Sequence, residues 1–413
     1  MKEVEFAQRL KGAGARVFLV GGWVRDYVRG VEPHDKDYMV TGITEETFTE
    51  LLPEAVKVGK SFPVYLVEID GVNSEVAFAR KEKKTGSGYC GFAVDYDSSV
   101  TVEEDLYRRD TTMNSLAMEL PQGNIIDLYG GIDDVHQRRI RAVSAHFCED
   151  PVRALRAARQ AAEFDFTISE ETYDLMRACR DELQAEPAER LLAELRRALQ
   201  TPKPSRYFRC LAQAGLLPVT FPELAALIGK TQPAAFHPEG DAFEHTMLVL
   251  DTVAEATDSV LARFVGLVHD LGKGLTPKAM EPHHYGHEKR GLEVLKAWNA
   301  RMTLPRDWLQ GGLFIIAQHM RAPRLTKPAK IVDLLLAVEK SCLTWAEFKA
   351  VIRADHHSLP HYLEKAEQIV CQLKAIRGKD CPAEITGPRV GEWIRNQQVL
   401  LYRNIVIDSD CAD

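Results

Sequence analysis

A chain of 413 residues, 45% hydrophobic and 27% charged, has the length and composition of a globular protein of two to four domains. Its net charge of −8 excludes a whole-molecule attraction to nucleic acid, so any RNA-binding surface must be a local basic patch. No apolar run approaches the roughly 18 residues of a membrane span, residues 1–15 read as a polar helix without an export signal, and the eight cysteines lack a C-x-x-C pair, which predicts a cytoplasmic protein with reduced thiols and no membrane contact.

Residues 16–80 alternate short β-rich runs with helical ones. A strand over 17–20 precedes a Gly21-Gly22 turn, another over 38–40 follows two aspartates, and residues 64–69 pair with 76–78 across Asp70-Gly71-Val72-Asn73. This predicts a small mixed sheet. Residues 82–104 are rich in Gly, Ser, Asp and Tyr, and Lys84-Thr85-Gly86-Ser87-Gly88-Tyr89 reads as a mobile loop. From about residue 150 the pattern turns helical, with Ala and Leu at three- and four-residue spacing over 151–164 and 188–199. Histidine is concentrated at 237, 245, 269, 283, 284, 287, 319, 356, 357 and 361, a bias that points to a metal centre. No internal repeat is visible, and the tail from about 362 carries no chemical motif.

Asp35 and Asp37 bracket Lys36 just before the second strand. In a strand, alternate side chains share a face, so the two carboxylates would stand about 7 Å apart at Cα and reach one metal pair. Two divalent ions roughly 4 Å apart suit phosphoryl transfer. A lone D-x-D is most often a solvated turn, so the flanks decide. Gly21-Gly22 lets backbone N–H groups approach phosphate oxygens at the positive end of the next helix, where Arg25 can clamp a triphosphate or ribose. Glu75 can supply a third carboxylate beside Asp37, or be an exposed strand glutamate. Arg108, Arg109, Asp110 and Asn114 can bind phosphates and ribose, with Asp110 able to act as a helix N-cap as well.

Glu149-Asp150-Pro151-Val152-Arg153-Ala154-Leu155-Arg156 carries helix-start chemistry and something more. Asp150 and Arg153, and Arg153 and Arg156, are three apart and can point the same way. A carboxylate that only accepts beside a guanidinium that only donates complements cytosine, through N4–H₂, N3 and O2, and adenine, through N6–H₂ and N1. Uracil and guanine present a carbonyl where Asp150 needs a donor, a mismatch of about 1–3 kcal/mol per contact. The basic runs Arg80-Lys81-Glu82-Lys83-Lys84 and Arg153, Arg156, Arg159 are candidate RNA contacts, although each taken alone reads as a solvated face.

These motifs resemble those of the bacterial CCA-adding enzymes, the second class of tRNA nucleotidyltransferases. The resemblance runs in order through Gly21-Gly22-x-Val24-Arg25-Asp26, Asp35-x-Asp37, Val58-Gly59-Lys60-Ser61-Phe62-Pro63-Val64, Thr85-Gly86-Ser87-Gly88-Tyr89, Arg108-Arg109-Asp110, Glu149-Asp150-Pro151-x-Arg153 and Glu189-Arg190. It implies that Gly22, Arg25, Arg109, Arg153 and Arg156 contact ATP or CTP, that Asp35 and Asp37 hold Mg²⁺, and that Asp150 with Arg153 reads the incoming base. Bacterial poly(A) polymerases share the same head, but residues 59–64 look like the CCA branch. The chain departs from the pattern at Thr111, where an apolar residue is usual, at Gln160, where a Phe often stands, and in about fifteen extra N-terminal residues.

His245, His269-Asp270 and Asp355 follow the ligand order of HD-type phosphohydrolases, which this region resembles, with His287 and His319 among the histidines that can complete a second metal position. Lys273 can face a substrate phosphate. That resemblance implies a divalent or transition metal such as Ni²⁺ and phosphatase, 2′-nucleotidase and 2′,3′-cyclic phosphodiesterase activity. The expected protein is therefore α+β: a mixed-sheet nucleotidyltransferase head over 1–140, a helical neck carrying the base-reading helix over 141–225, an HD region over 226–361 and a helical tail over 362–413. It is expected to add C, C and A to the tRNA 3′ acceptor end from CTP and ATP, as a monomer or homodimer. CC addition, A addition or poly(A) synthesis, or an HD hydrolase using the head only to bind RNA, are the alternatives.

Overall fold

The computed structural model describes residues 1–58, 62–84, 92–235 and 237–410. The 59–61 part of the Gly59 motif and the Thr85–Tyr89 motif lie outside the described residues. The chain divides into two compact units, residues 1–194 with 206–220, and residues 195–205 with 221–413.

The first unit begins with α1 (Glu3–Lys11), β1 (Arg16–Val20), α2 (Gly22–Arg29), β2 (Asp37–Thr41), α3 (Glu45–Leu51), β3 (Val56–Lys57), β4 (Val64–Ile69), β5 (Val72–Phe78), β6 (Lys81–Lys84) and β7 (Phe92–Asp95). It continues with α4 (Val102–Tyr107), β8 (Leu116–Leu120), β9 (Asn124–Asp127), α5 (Gly131–His136), β10 (Arg139–Ile140), α6 (Val152–Phe164), β11 (Thr167–Ile168), α7 (Glu170–Ala178), α8 (Arg180–Gln184) and α9 (Ala188–Leu199). The described strands build a seven-stranded sheet ordered β3-β4-β5-β2-β1-β8-β9, in which β2 and β5 run parallel. Side chains alternate across it. Val17, Leu19, Tyr38, Val40 and Val76 bury one face with Phe6 and Leu10 of α1, while Phe18, Val20 and Met39 face Val102 and Leu106. The extra N-terminal residues thus form part of the core.

Three expectations change in detail. The β4–β5 hairpin turns on two residues, Asp70 and Gly71, both at positive φ, so the second strand starts at Val72 and not at 76. Residues 82–104 hold more than the loop read at 84–89, because β6 and β7 pair antiparallel and α4 follows behind a Thr101–Glu104 capping box. Asp35 has a φ of 48° and precedes β2, which starts at Asp37, so strand alternation does not set its direction.

The second unit is helical, as the pattern read from about residue 150 onward predicts. After α10 (Pro204–Gln213) and α11 (Leu217–Thr220), which lie almost wholly in the first unit, it contains α12 (Pro222–Ala225), α13 (Ala242–Ala256), α14 (Val260–Val268), α15 (His287–Met302), α16 (Arg306–Gln318), α17 (Pro328–Lys340), α18 (Trp345–His356), α19 (His361–Glu364), α20 (Ala366–Ala375) and α21 (Pro388–Asp410). Asp241 caps α13 by accepting from the N–H groups of Phe243 and Glu244, which fixes the entry of His245 into the unit's interior. No helix among the described residues is long and apolar enough to cross a membrane.

Candidate active sites in the two units

In the first unit a cleft of about 770 Å³ opens where β1 hands over to α2. Gly21, Gly22, Arg25, Asp37, Arg109, Asp110, Asn114, Asp150, Arg153 and Arg156 all line it. Gly21 has a φ of 68°, and a Cβ there would meet Arg109 Nη1 at 3.2 Å, so the turn needs glycine to let the guanidinium lie against the backbone. Its own N–H is already donated to Leu116 O, which leaves the first amides of α2 as the donors facing the cleft. Arg25 is held by Asp26 at 2.8 Å, by Asn114 Oδ1 at 2.9 Å and over the Phe164 ring at 4.3 Å.

The parallel register places Asp37 directly opposite Glu75. Burial, Glu75 and Asp35 push the Asp37 carboxyl above the usual carboxylate range, against the pull of Arg109. Asp35 and Glu75 therefore bear on Asp37, though only Asp37 lines the cleft wall.

Around this core the arginines are held by buried acids. Asp105 accepts from Arg108 at 2.6 Å and from Arg109 at 2.9 Å. Burial opposes its ionisation, but the two guanidinium groups more than offset that and bring its carboxyl down to about 2. Asp110 is likewise buried and likewise brought down to about 2, because Arg156 at 2.9 Å, Asn114 Nδ2 and the Thr111 N–H outweigh desolvation. Thr111, not Asp110, occupies the N-cap position of the short 3-10 turn Thr112–Asn114. The two departures from the family pattern meet here, since Thr111 Oγ1 lies 3.1 Å from Gln160 Oε1 and Gln160 Nε2 reaches Asp110.

Asp150 and Arg153 both line the cleft, each with its own anchor. Arg153 Nη1 donates to His146 O at 2.6 Å, and Arg190 Nη2 stands 3.0 Å from both oxygens of Asp150. Glu82 and Arg190, read in sequence only as part of a basic run and of the Glu189-Arg190 motif, carry this scaffold together with Asp105, which the sequence reading did not single out. The spacing of Asp105 three and four residues before Arg108 and Arg109 is the signal that reveals it.

In the second unit, imidazoles converge on one carboxylate. Asp270 Oδ2 lies 3.2 Å from His269 Nε2 and 3.7 Å from His245 Nε2, while its Oδ1 lies 3.2 Å from His287 Nε2 and 3.4 Å from His319 Nε2. Asp355 Oδ1 closes the His245 side at 3.1 Å. Every one of these rings turns Nδ1 outward to an acceptor: Glu239, Gly266 O, His284 O, and the carbonyls of Ile315 and Ile316. The Nε2 lone pairs therefore face carboxylate oxygens, acceptor against acceptor. His269 Nε2, both Asp270 oxygens and Asp355 Oδ2 are buried and, apart from ionic contacts with Lys273, His356 and the cluster's own imidazoles, have no hydrogen-bond partner, a donor set that fits a cation. Lys273 Nζ reaches Asp270 Oδ2 at 2.5 Å. His284 instead bonds Thr276 and Thr231 O, and His283 stacks on Tyr285, so neither joins the cluster. Glu239 and His237 extend it on the His245 side. His356 contacts Asp355 Oδ2 at 3.0 Å, whereas His361 pairs with Glu364.

Gly272 makes this packing possible. A Cβ on it would lie 1.9 Å from His287 O, so the turn after Asp270 touches the start of α15 backbone to backbone.

Comparison with known proteins places the chain in a family. Residues 17–141 match the Poly A polymerase head domain, 165–228 the probable RNA and SrmB-binding site of polymerase A, and 242–339 the HD domain. The chain is 44% identical over 310 residues to the multifunctional CCA protein of Shewanella denitrificans, covering 74% of each. It is 37% identical over 409 residues to that of Xanthomonas campestris pv. campestris, covering 93% of this chain and 97% of the relative. The fold is also that of the Bacillus stearothermophilus CCA-adding enzyme solved with CTP, with a TM-score of 0.64, 23% identity, and 99% and 93% of the two chains covered.

Proposed function

The chain belongs to the multifunctional CCA proteins, which join CCA addition to tRNA with an HD-domain phosphohydrolase, and from that premise we propose how its residues divide the work. In the head, the 3′-hydroxyl of tRNA attacks the α-phosphate of CTP or ATP, and pyrophosphate leaves. The Gly22 amide, Arg25, Arg109 and Asn114 hold the triphosphate and ribose. Asp110 fixes Arg156 and Asn114 in place. Asp150 accepts from cytosine N4–H₂ or adenine N6–H₂ while Arg153 donates to the neighbouring ring acceptors. Asp35, Asp37 and Glu75 are carboxylates whose mutual repulsion a cation would relieve, and they would hold Mg²⁺. When bound, the ions would favour the deprotonated hydroxyl and neutralise charge on the pyrophosphate.

In the second unit His245, His269, Asp270 and Asp355 would hold a divalent cation, Ni²⁺ or another transition metal by their nitrogen content, with His287, His319 and the shared Asp270 offering a second position. A cation there would supply a nucleophilic water at neutral pH. Lys273, freed from Asp270, would meet a substrate phosphate. The substrates of this reading are 2′,3′-cyclic phosphates, 2′-nucleotides and phosphomonoesters. A tRNA ending in a cyclic phosphate lacks the free 3′-hydroxyl that the head needs, so one site prepares what the other extends. The division into head (1–140), neck (141–225), HD region (226–361) and tail (362–413) belongs to the same reading, as does a cytoplasmic setting.

The observation that carries it is the cleft in which Asp37, backed by Glu75, shares one space with Arg109, Asp150 and Arg153. Incubating the protein with tRNA truncated before its CCA end, with CTP and ATP singly and together, and sequencing the products tests it. CC from CTP alone and CCA from both is expected; homopolymeric A tails, or no extension, would refute it.

A further inference from the structure

The reaction proposed above brings two partners to the carboxylates, a triphosphate and an RNA 3′ end, and the cleft's arginines account only for the first. A second surface is joined to the Asp35–Asp37 segment through Lys36. Trp23 and Tyr27, one turn apart on α2, stack with ring centroids 5.7 Å apart and planes 9° from parallel. Trp23 is partly packed on the core, whereas Tyr27 is 53% exposed. Neither lines the nucleotide cleft, yet Trp23 directly follows Gly22, which does. Lys36, between Asp35 and Asp37, carries its Nζ 5.5 Å from the Trp23 ring and 2.6 Å from Glu3 Oε1. An exposed aromatic stack with a cation at its edge is the surface on which unpaired bases lie, because every base has a π-face and the charge meets the backbone.

We propose that Trp23 and Tyr27, with Lys36 at their edge, form the platform on which the single-stranded 3′ end of the RNA being extended stacks, so that its terminal hydroxyl is delivered to the Asp35–Asp37 segment. The platform rests on the nucleotidyl-transfer reading of the head. It is distinct from the base-reading pair, since it takes the bases already added and is indifferent to their identity.

Steady-state kinetics with an acceptor-stem minihelix lacking only its terminal residues tests the idea. Tyr27→Ala, at an exposed position, should raise KM for the minihelix about tenfold, the loss expected for one stacked base. KM for CTP and the thermal midpoint should not change, and Tyr27→Phe should restore the original value. An unchanged minihelix KM, or a parallel rise in both KM values, overturns the proposal. Quenching of tryptophan fluorescence by a short oligonucleotide ending in CC provides a readout independent of catalysis. It should be reduced in Trp23→Phe, and equal quenching in wild type and variant also overturns the platform. A wild-type protein that is quenched at Trp23 but extends nothing would keep the RNA-binding surface and refute the transferase reading instead.

Discussion

Arg190 Nη2 stands 3.0 Å from both carboxylate oxygens of Asp150, and Glu186 holds the same guanidinium at 2.7 Å through Nη1. The acid proposed to inspect the base is thereby aimed, with lone pairs left for the base. Arg190→Ala should loosen selection more than it slows synthesis. Single-turnover incorporation of UTP relative to CTP is expected to rise about tenfold, within the cost of about 1–3 kcal/mol of one mismatched contact. An unaltered ratio would remove Arg190 from base selection.

Chemistry in the two units should separate cleanly. Asp37→Asn is expected to abolish nucleotide addition, by at least about a thousandfold given the weight of charge placed at a reacting phosphate, while hydrolysis of 2′,3′-cyclic nucleotides persists. Asp270→Asn should do the reverse. Both activities measured on both purified variants decide it, and a variant losing both while still folded would contradict two independent centres.

Asp105 ties its two arginines to acid stability. Its carboxyl lies at about 2 in the folded protein against an ordinary 3.8, so the stabilisation it lends is present above about pH 4 and is lost as pH falls through about 2. That difference corresponds to roughly 2 kcal/mol. Asp105→Asn should lower the urea midpoint at pH 7, and the gap to wild type should narrow as the pH is brought from 5 to 3. A gap constant with pH would mean that the lost hydrogen bonds, and not the charge, stabilise this corner.

Gly272→Ala forces a methyl into the His287 carbonyl, from which a Cβ would be 1.9 Å away. Because the contact is backbone, the neighbour cannot rotate aside, and a cost of about 3 kcal/mol or more is expected. Hydrolase activity and divalent-metal affinity by calorimetry should both fall, with CCA addition retained. Full metal affinity in the variant would show that the turn can shift.

Much of the site was readable in the chain because local spacing carries it. The Gly-Gly turn and the helix starting beyond Pro151 each depend on residues a few positions apart, whereas the HD ligand order, spread over His245, His269, Asp270 and Asp355, was legible through its family resemblance. The strand adjoining Asp37 was anticipated from β-rich composition alone, and Glu75 stands opposite it in register. What sequence could not supply were partners joined only by folding. Arg190 lies 40 positions from Asp150, and Glu82 reaches Arg108 across 26. Asp35 escaped the alternation rule because its backbone is left-handed. Gln160 looked like a packing fault until Thr111 was found beside it; substituting either alone should strand a buried amide or hydroxyl, at about 1–3 kcal/mol, and changing both to the apolar pair should recover most of that.

The helix α6 starts beside Asp150 and ends at Phe164, whose ring lies beneath Arg25 and within 4.5 Å of Arg29. One rigid rod therefore joins the residues proposed to inspect the base to those proposed to clamp the phosphates. Insertion of a single residue near its middle would swing one end by about 100° relative to the other. On the proposed division of labour, the choice of base therefore depends on helical phase as well as on the residues that touch the base.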